Sequence, residues 1–238
     1  FGFTGPVDGF RQNTTLTVSP GYGSNNLAFQ TFKSDLRKYW RIGRDYTVAV
    51  RGFFGKSMGP NKQKFFLGGI PYLLGGGGET NGVSDNGNFR EVILDTSNAS
   101  MIHDIYFTEY AWPLRGARFA ERLGNNTALI NLEVRFPFIN YLALGFPLKV
   151  IFGNIRGHAF MDIGAAWDDD DPTNFTNNQW PDRYGGNVSG EYSPWITTAG
   201  LGTKINLGYF LLKVEMAWDK NIDGYSKPQW YFSLGPDW

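Results

Sequence analysis

Two segments of this chain, residues 126–138 and 157–167, put their acids on one side of a two-residue period and a continuous apolar row on the other. In the first, Ile130, Leu132, Val134 and Phe136 alternate with Asn131, Glu133 and Arg135. In the second, Met161, Ile163, Ala165 and Trp167 lie opposite Phe160, Asp162 and Gly164. A strand with one greasy and one charged face needs an apolar medium on one side and water or ionic partners on the other. That requirement points to the wall of a membrane β-barrel. The nearest unusual cation is Arg115, in the loop sequence Trp112-Pro-Leu-Arg-Gly-Ala-Arg that precedes both segments.

Composition narrows the choice. The 238 residues suffice for one large all-β domain or two small ones. Glycine is the commonest residue type at 31, and 17% of residues are aromatic, as expected of glycine-jointed strands with aromatic girdles. A secreted β-sandwich rich in Tyr and Trp is the alternative. Formal net charge is zero, so no global field attracts nucleic acid, and no nucleic-acid partner is expected. With no cysteine there is no thiolate zinc site, disulfide framework or cysteine nucleophile. The longest nearly apolar run, 141–152, is interrupted by Gly145, Pro147 and Lys149 and is too short to cross a bilayer as a helix. The chain opens at Phe1 without a signal-peptide pattern, which reads as a mature product or a fragment.

Alternation bounded by turn residues predicts eight strands: 10–19, 27–39, 45–54, 126–138, 157–167, 195–205, 209–218 and 228–235. The connections alternate in length, with tight turns at 41–44 and 206–208 and long segments at 55–125 and 168–194. Short turns on one rim and long loops on the other are a barrel signature. The segment 139–156 breaks the pattern, being a long connection on the short-turn side. A structureless stretch of about seventy residues is expected to be functional or disordered. Within it, 73–78 and 81–88 read as flexible.

These motifs resemble the BamA/TamA superfamily of outer-membrane assembly and transport barrels over nearly the whole chain. Leu114-Arg115-Gly116 is similar to the family's Val/Leu-Arg-Gly-Phe/Tyr loop tip, with Ala117 where an aromatic is usual. Phe65-Phe-Leu-Gly-Gly69 looks like the family's motif at the start of that loop, the stretch from Leu132 to Pro137 like its Glu-bearing strand, and that from Phe160 to Gly164 like its Asp-bearing strand. The ending Ser233-Leu-Gly-Pro-Asp-Trp238 fits the polar-x-Gly-x-x-aromatic insertion signal, through Ser233, Gly235 and Trp238.

The resemblance implies an all-β transmembrane antiparallel barrel, with residues 1–238 supplying the C-terminal eight of sixteen strands and an inserted external loop at 55–125. It implies a lumenal latch in which Arg115 and Gly116 meet Glu133, Asp162 and Phe160. It further implies a Gram-negative outer membrane and protein insertion or translocation, with the lipid bilayer, client outer-membrane or secreted proteins and accessory lipoproteins as partners. A barrel that only anchors a fused periplasmic or surface domain is the alternative, and a self-contained eight-stranded adhesion or enzyme barrel ranks last.

No cofactor and no enzymatic activity are expected. There is no Gly-x-Ser-x-Gly elbow, and Gly75 to Gly78 lack the lysine and following helix of a phosphate loop. His103 and His158 lack zinc-ligand spacing and read as structural. The acids 168–171 read as a solvated loop rather than a calcium site, because the spaced ligands and glycine of a calcium loop are missing.

Overall fold

The computed structural model describes residues 5–23, 27–70, 73–76, 108–117, 122–144, 150–168, 195–207, 210–221, 224–225 and 228–235. These residues form strands and turns, with no helix among them. Eight long strands run up and down in chain order: β1 (Gly9–Pro20), β2 (Ala28–Ile42), β3 (Tyr46–Met58), β8 (Asn126–Leu144), β9 (Val150–Trp167), β10 (Trp195–Asn206), β11 (Leu211–Asn221) and β13 (Gln229–Gly235). Each pairs antiparallel with its neighbours, giving the order β1-β2-β3-β8-β9-β10-β11-β13. Short strands β4 (Phe65–Leu67), β5 (Leu73–Gly76), β6 (Glu109–Ala111) and β7 (Arg122–Gly124) belong to the long insertion, and β12 (Gly224–Tyr225) pairs with β11.

The period-two rule fixes the two faces. Along β8, Asn131, Glu133 and Arg135 are buried while Ile130, Leu132 and Val134 are exposed. The neighbouring strands repeat this with Met161, Leu201, Trp230 and Phe232 on the exposed side and Asp162, Thr198, Tyr231 and Ser233 on the buried side. On these strands one face is thus an apolar belt, and the other is polar and buried.

Three expectations need correction. Within 139–156, residues 139–144 and 150–156 are strand, not loop. β8 runs on to Leu144 and β9 starts at Val150, with Ile139 opposite Ile155 and Leu144 opposite Val150. A register shift between Pro137 and Ile139 absorbs the proline, which donates no ladder hydrogen bond, so the strand passes through it. The connection on that rim is short after all. At the start of the insertion β3 continues to Met58, because Lys56 and Ser57 keep the alternation. Finally, Leu73–Gly76 is a strand paired antiparallel with β13, Gly76 opposite Tyr231 and Gly75 opposite Phe232. Glycine-rich sequence yields to an available edge, since an edge strand presents a row of unpaired backbone groups. The stretch 81–88 lies outside the described residues.

The insertion returns to the sheet. β4 pairs parallel with β6 and antiparallel with β7, and this small sheet lays Leu67 against β8 and β9, in one apolar cluster with Leu114, Ala117, Leu129 and Ile196. Gly164 on β9 makes the room: a methyl group there would touch Leu67 at 3.1 Å.

Candidate functional site

The site begins with a glycine turn. Gly68 and Gly69 take φ of 121° and 92°, values that favour glycine, and turn the chain after β4 so that the Gly69 carbonyl accepts a 3.0 Å hydrogen bond from the Leu114 amide. The Phe65–Gly69 motif and the Leu114–Gly116 motif, some 45 residues apart in sequence, therefore meet as one bridge. Gly116 has φ of 88°, and a Cβ there would stand 3.2 Å from both Thr198 and Ala217. Only glycine suits both that conformation and that approach. Ala117, where an aromatic is usual in the resembled motif, is fully buried in the apolar cluster.

This geometry drives Arg115 onto the polar face, where it is 2% exposed. Its Nε and Nη2 fork the two oxygens of Asp162 at 2.8 Å each, and its backbone amide donates to the same carboxylate at 3.1 Å. Nη1 donates to Glu133 and to Glu215, both at 3.1 Å. The guanidinium carbon stands 3.6 Å from the centroid of the Phe160 ring. A planar, permanently charged fork is suited to this task, since it satisfies several carboxylates in fixed directions while stacking on an aromatic face.

The acids have further partners. Glu133 accepts from Arg135 Nε at 2.6 Å and pairs with Lys204, and Glu215 lies 2.9 Å from His158 Nε2. Leaving the imidazole of His158 out of the count, Arg115, Arg135 and Lys204 match Glu133, Asp162 and Glu215 in number. Balance is what burial demands, because an uncompensated charge in such a site costs several kcal/mol.

Two glycines on β10 hold the arrangement open. Gly200 faces Phe160 and Gly202 faces His158 across the β9–β10 ladder, and Gly202 also faces Glu215 on β11. A side chain at Gly200 would overlap the Phe160 ring, and one at Gly202 would stand 2.6 Å from His158. Without these side chains, His158 on β9 and Glu215 on β11 reach over the intervening strand and meet. The signal for this pair, glycine at period two in the stretch 199–202, was readable but carries no charge to draw the eye.

The structure thus brings Arg115, Gly116, Glu133, Phe160 and Asp162 together. It adds Arg135, which shares the polar parity of Glu133, and Glu215, Lys204 and His158, whose meeting there the spacing alone does not reveal. Ser233 and Gly235 lie on β13, with Ser233 buried on the polar face and Gly235 opposite Leu211. Trp238 lies outside the described residues, as do His103 and the acids 169–171. Among the described residues no group of His, Asp and Glu could hold a metal ion.

An antiparallel meander with an apolar outer belt and a returning loop on its charged face meets its counterpart in the family comparison. The model of the Omp85 superfamily domain matches residues 4–238. The chain belongs to the Omp85 superfamily. That superfamily, which includes the BamA and TamA barrels, consists of outer-membrane β-barrels that insert or translocate proteins, acting on clients within the bilayer. Its members are transporters or insertases. No curated protein matches the chain. For an Omp85 domain the exposed apolar belt is the lipid-facing surface, which crosses the membrane with strands.

Proposed function

We propose that this Omp85 chain works as an insertion or translocation barrel of the BamA/TamA type in a Gram-negative outer membrane, contributing the C-terminal eight strands of a sixteen-stranded barrel. The segment between β3 and β8, residues 59–125, then forms an external loop whose tip is latched inside the barrel. The observation that carries the reading is the grip of Arg115 on three carboxylates from three strands, Asp162, Glu133 and Glu215. A solvated loop arginine has no such set. The work is non-covalent: the latch fixes the inserted loop against the wall while client strands enter at a seam beside β13. Accessory lipoproteins are expected to dock on the periplasmic parts of the assembly.

Arg115→Ala in the complete protein strands three acids, and the buried pairs cost about 3–5 kcal/mol where an exposed pair costs 0–1. The variant should reach the membrane in part, expose the loop to proteases and lose client insertion, and Arg115→Lys should recover only a fraction because one ammonium cannot reproduce the fork. Wild-type protease resistance and client yield in Arg115→Ala would remove the latch.

The anchor reading draws on one observation. β13 already carries a strand of its own chain, Leu73–Gly76, at Tyr231 to Ser233. An edge so occupied suits a barrel whose seam stays shut and which merely holds a fused domain. Client accumulation on depletion separates the two readings, since loss of an anchor leaves the insertion of other barrels intact. The ending Ser233, Gly235 and Trp238 is proposed as the insertion signal. Deleting residues 236–238 should lower outer-membrane yield, measured by heat-modifiable gel mobility, and unchanged yield would exclude that role.

A further inference from the structure

Beside the Arg115 cluster sits a second buried arginine that grips the same loop in a different way. Arg51 on β3 is 6% exposed and faces Asn131 on β8 in the ladder. These two opposed residues take two consecutive carbonyls of the loop: Arg51 Nη1 donates to that of Trp112, and Asn131 Nδ2 donates to that of Pro113 at 2.8 Å. Arg51 is aimed by Asp35 on β2, whose oxygens accept from its Nε at 3.0 Å and its Nη2 at 2.9 Å. Asp35 also accepts from Arg37 at 2.7 and 3.0 Å, so this carboxylate is pinned from both sides and the direction of Arg51 is fixed with it.

The two arginines play opposite parts. Arg115 belongs to the loop and reaches out to acids of the wall, whereas Arg51 belongs to the wall and reaches in to the backbone of the loop. Asn131 joins them, because its amide also donates to Asp162 Oδ1 at 2.9 Å. A grip on main-chain carbonyls is made without the side chains at 112 and 113 and without the Arg115 guanidinium.

We propose that Arg51, oriented by Asp35, is a second positioning residue that sets the depth of the loop tip through its main chain. The inference rests on the latch reading above but concerns where the loop sits, not what is transported. Because two clamps in parallel must both open for release, their effects multiply.

The chain holds no cysteine, so Ala117→Cys provides a buried reporter in the complete protein. Labelling with a polyethylene-glycol maleimide in outer-membrane vesicles, read as a gel shift, measures exposure of the tip. A thiol at Thr17, on the exposed strand β1, controls for reagent access. In the Arg115→Ala background the reporter should label slowly. Adding Arg51→Ala should speed it by about tenfold or more, the factor that one charge-assisted hydrogen bond supplies. Arg51→Lys, which keeps the charge but not the fork, should fall between, and Asp35→Asn should accelerate labelling with position 51 unchanged.

Equal labelling of Arg115→Ala and Arg51→Ala/Arg115→Ala, with heat-modifiable mobility intact, would overturn the proposal. Should Arg51→Ala fail to fold, Arg51→Lys and Asp35→Asn are read by the same criterion, and parental rates in both would overturn it equally. Faster labelling with client insertion unchanged would leave the clamp standing and count against the transport reading.

Discussion

β1 and β8 obey the same alternation yet end in opposite environments. On β8 the inward row Asn131, Glu133 and Arg135 is at most 2% exposed, whereas on β1 nearly every residue on both faces is exposed. The inward row of β1, Arg11, Asn13, Thr15 and Thr17, has only one charge and lies exposed. Alternation makes a wall in either case. What turns the wall into a site is the returning loop, and paired acids and bases appear where that loop covers the strands.

The comparison is open to breakage by substitution. Asp162→Ala on β9 removes the fork under Arg115, the acceptor of the Arg115 amide and a partner of Asn131 together. Loss of a buried ionic partner costs about 3–5 kcal/mol, while Arg11→Ala on β1, a solvated position, should stay within about 0.5 kcal/mol. Urea midpoints in lipid vesicles would test this, and comparable losses at the two positions would end the distinction between covered and bare wall. The outer faces should show no such contrast. Lysine at mid-bilayer depth costs about 2–4 kcal/mol, so Val134→Lys on β8 and Leu16→Lys on β1 should lose similar amounts in the same assay. A harmless Leu16→Lys would mean that β1 does not face lipid.

The smallest effect separates two glycines. At Gly200 a methyl group would overlap the Phe160 ring, and at Gly52 it would meet nothing within 4 Å. Overpacking costs about 1–3 kcal/mol, so Gly200→Ala should displace the ring from Arg115 and raise protease access to the loop. Gly52→Ala should be neutral or slightly stabilising, because alanine restricts the unfolded chain. Equal behaviour would show that the glycine floor of β10 is incidental.

The legible parts of this molecule are those with period two or a dense local motif. All eight long strands show as alternation, and the acids at 133 and 162 stand out because a charge on an otherwise greasy strand is conspicuous. The continuation of β8 past Pro137 was hidden, since a proline reads as a stop unless a bulge takes it up. Alternation puts Glu215 on the polar side of β11, yet nothing in the spacing reveals that strands two apart converge there. That convergence depends on what is missing from Gly202. Alternation puts Arg51 on the polar side of β3, but its hold on the loop is through the backbone carbonyl of Trp112, and main-chain acceptors leave no trace in a sequence.

The even count of charges in the cluster has a consequence for release. His158 aside, the group sums to zero with the loop in place; with Arg115 withdrawn, the wall retains Glu133, Asp162 and Glu215 against Arg135 and Lys204, one negative charge in excess. A mobile cation from the medium is the natural tenant of that vacancy, and screening by the same ions weakens the pull that draws the arginine back. In the latch proposed above, counterions of the medium are therefore the competitor that an emptied site must meet, and the ionic strength sets how strongly the wall draws the loop back.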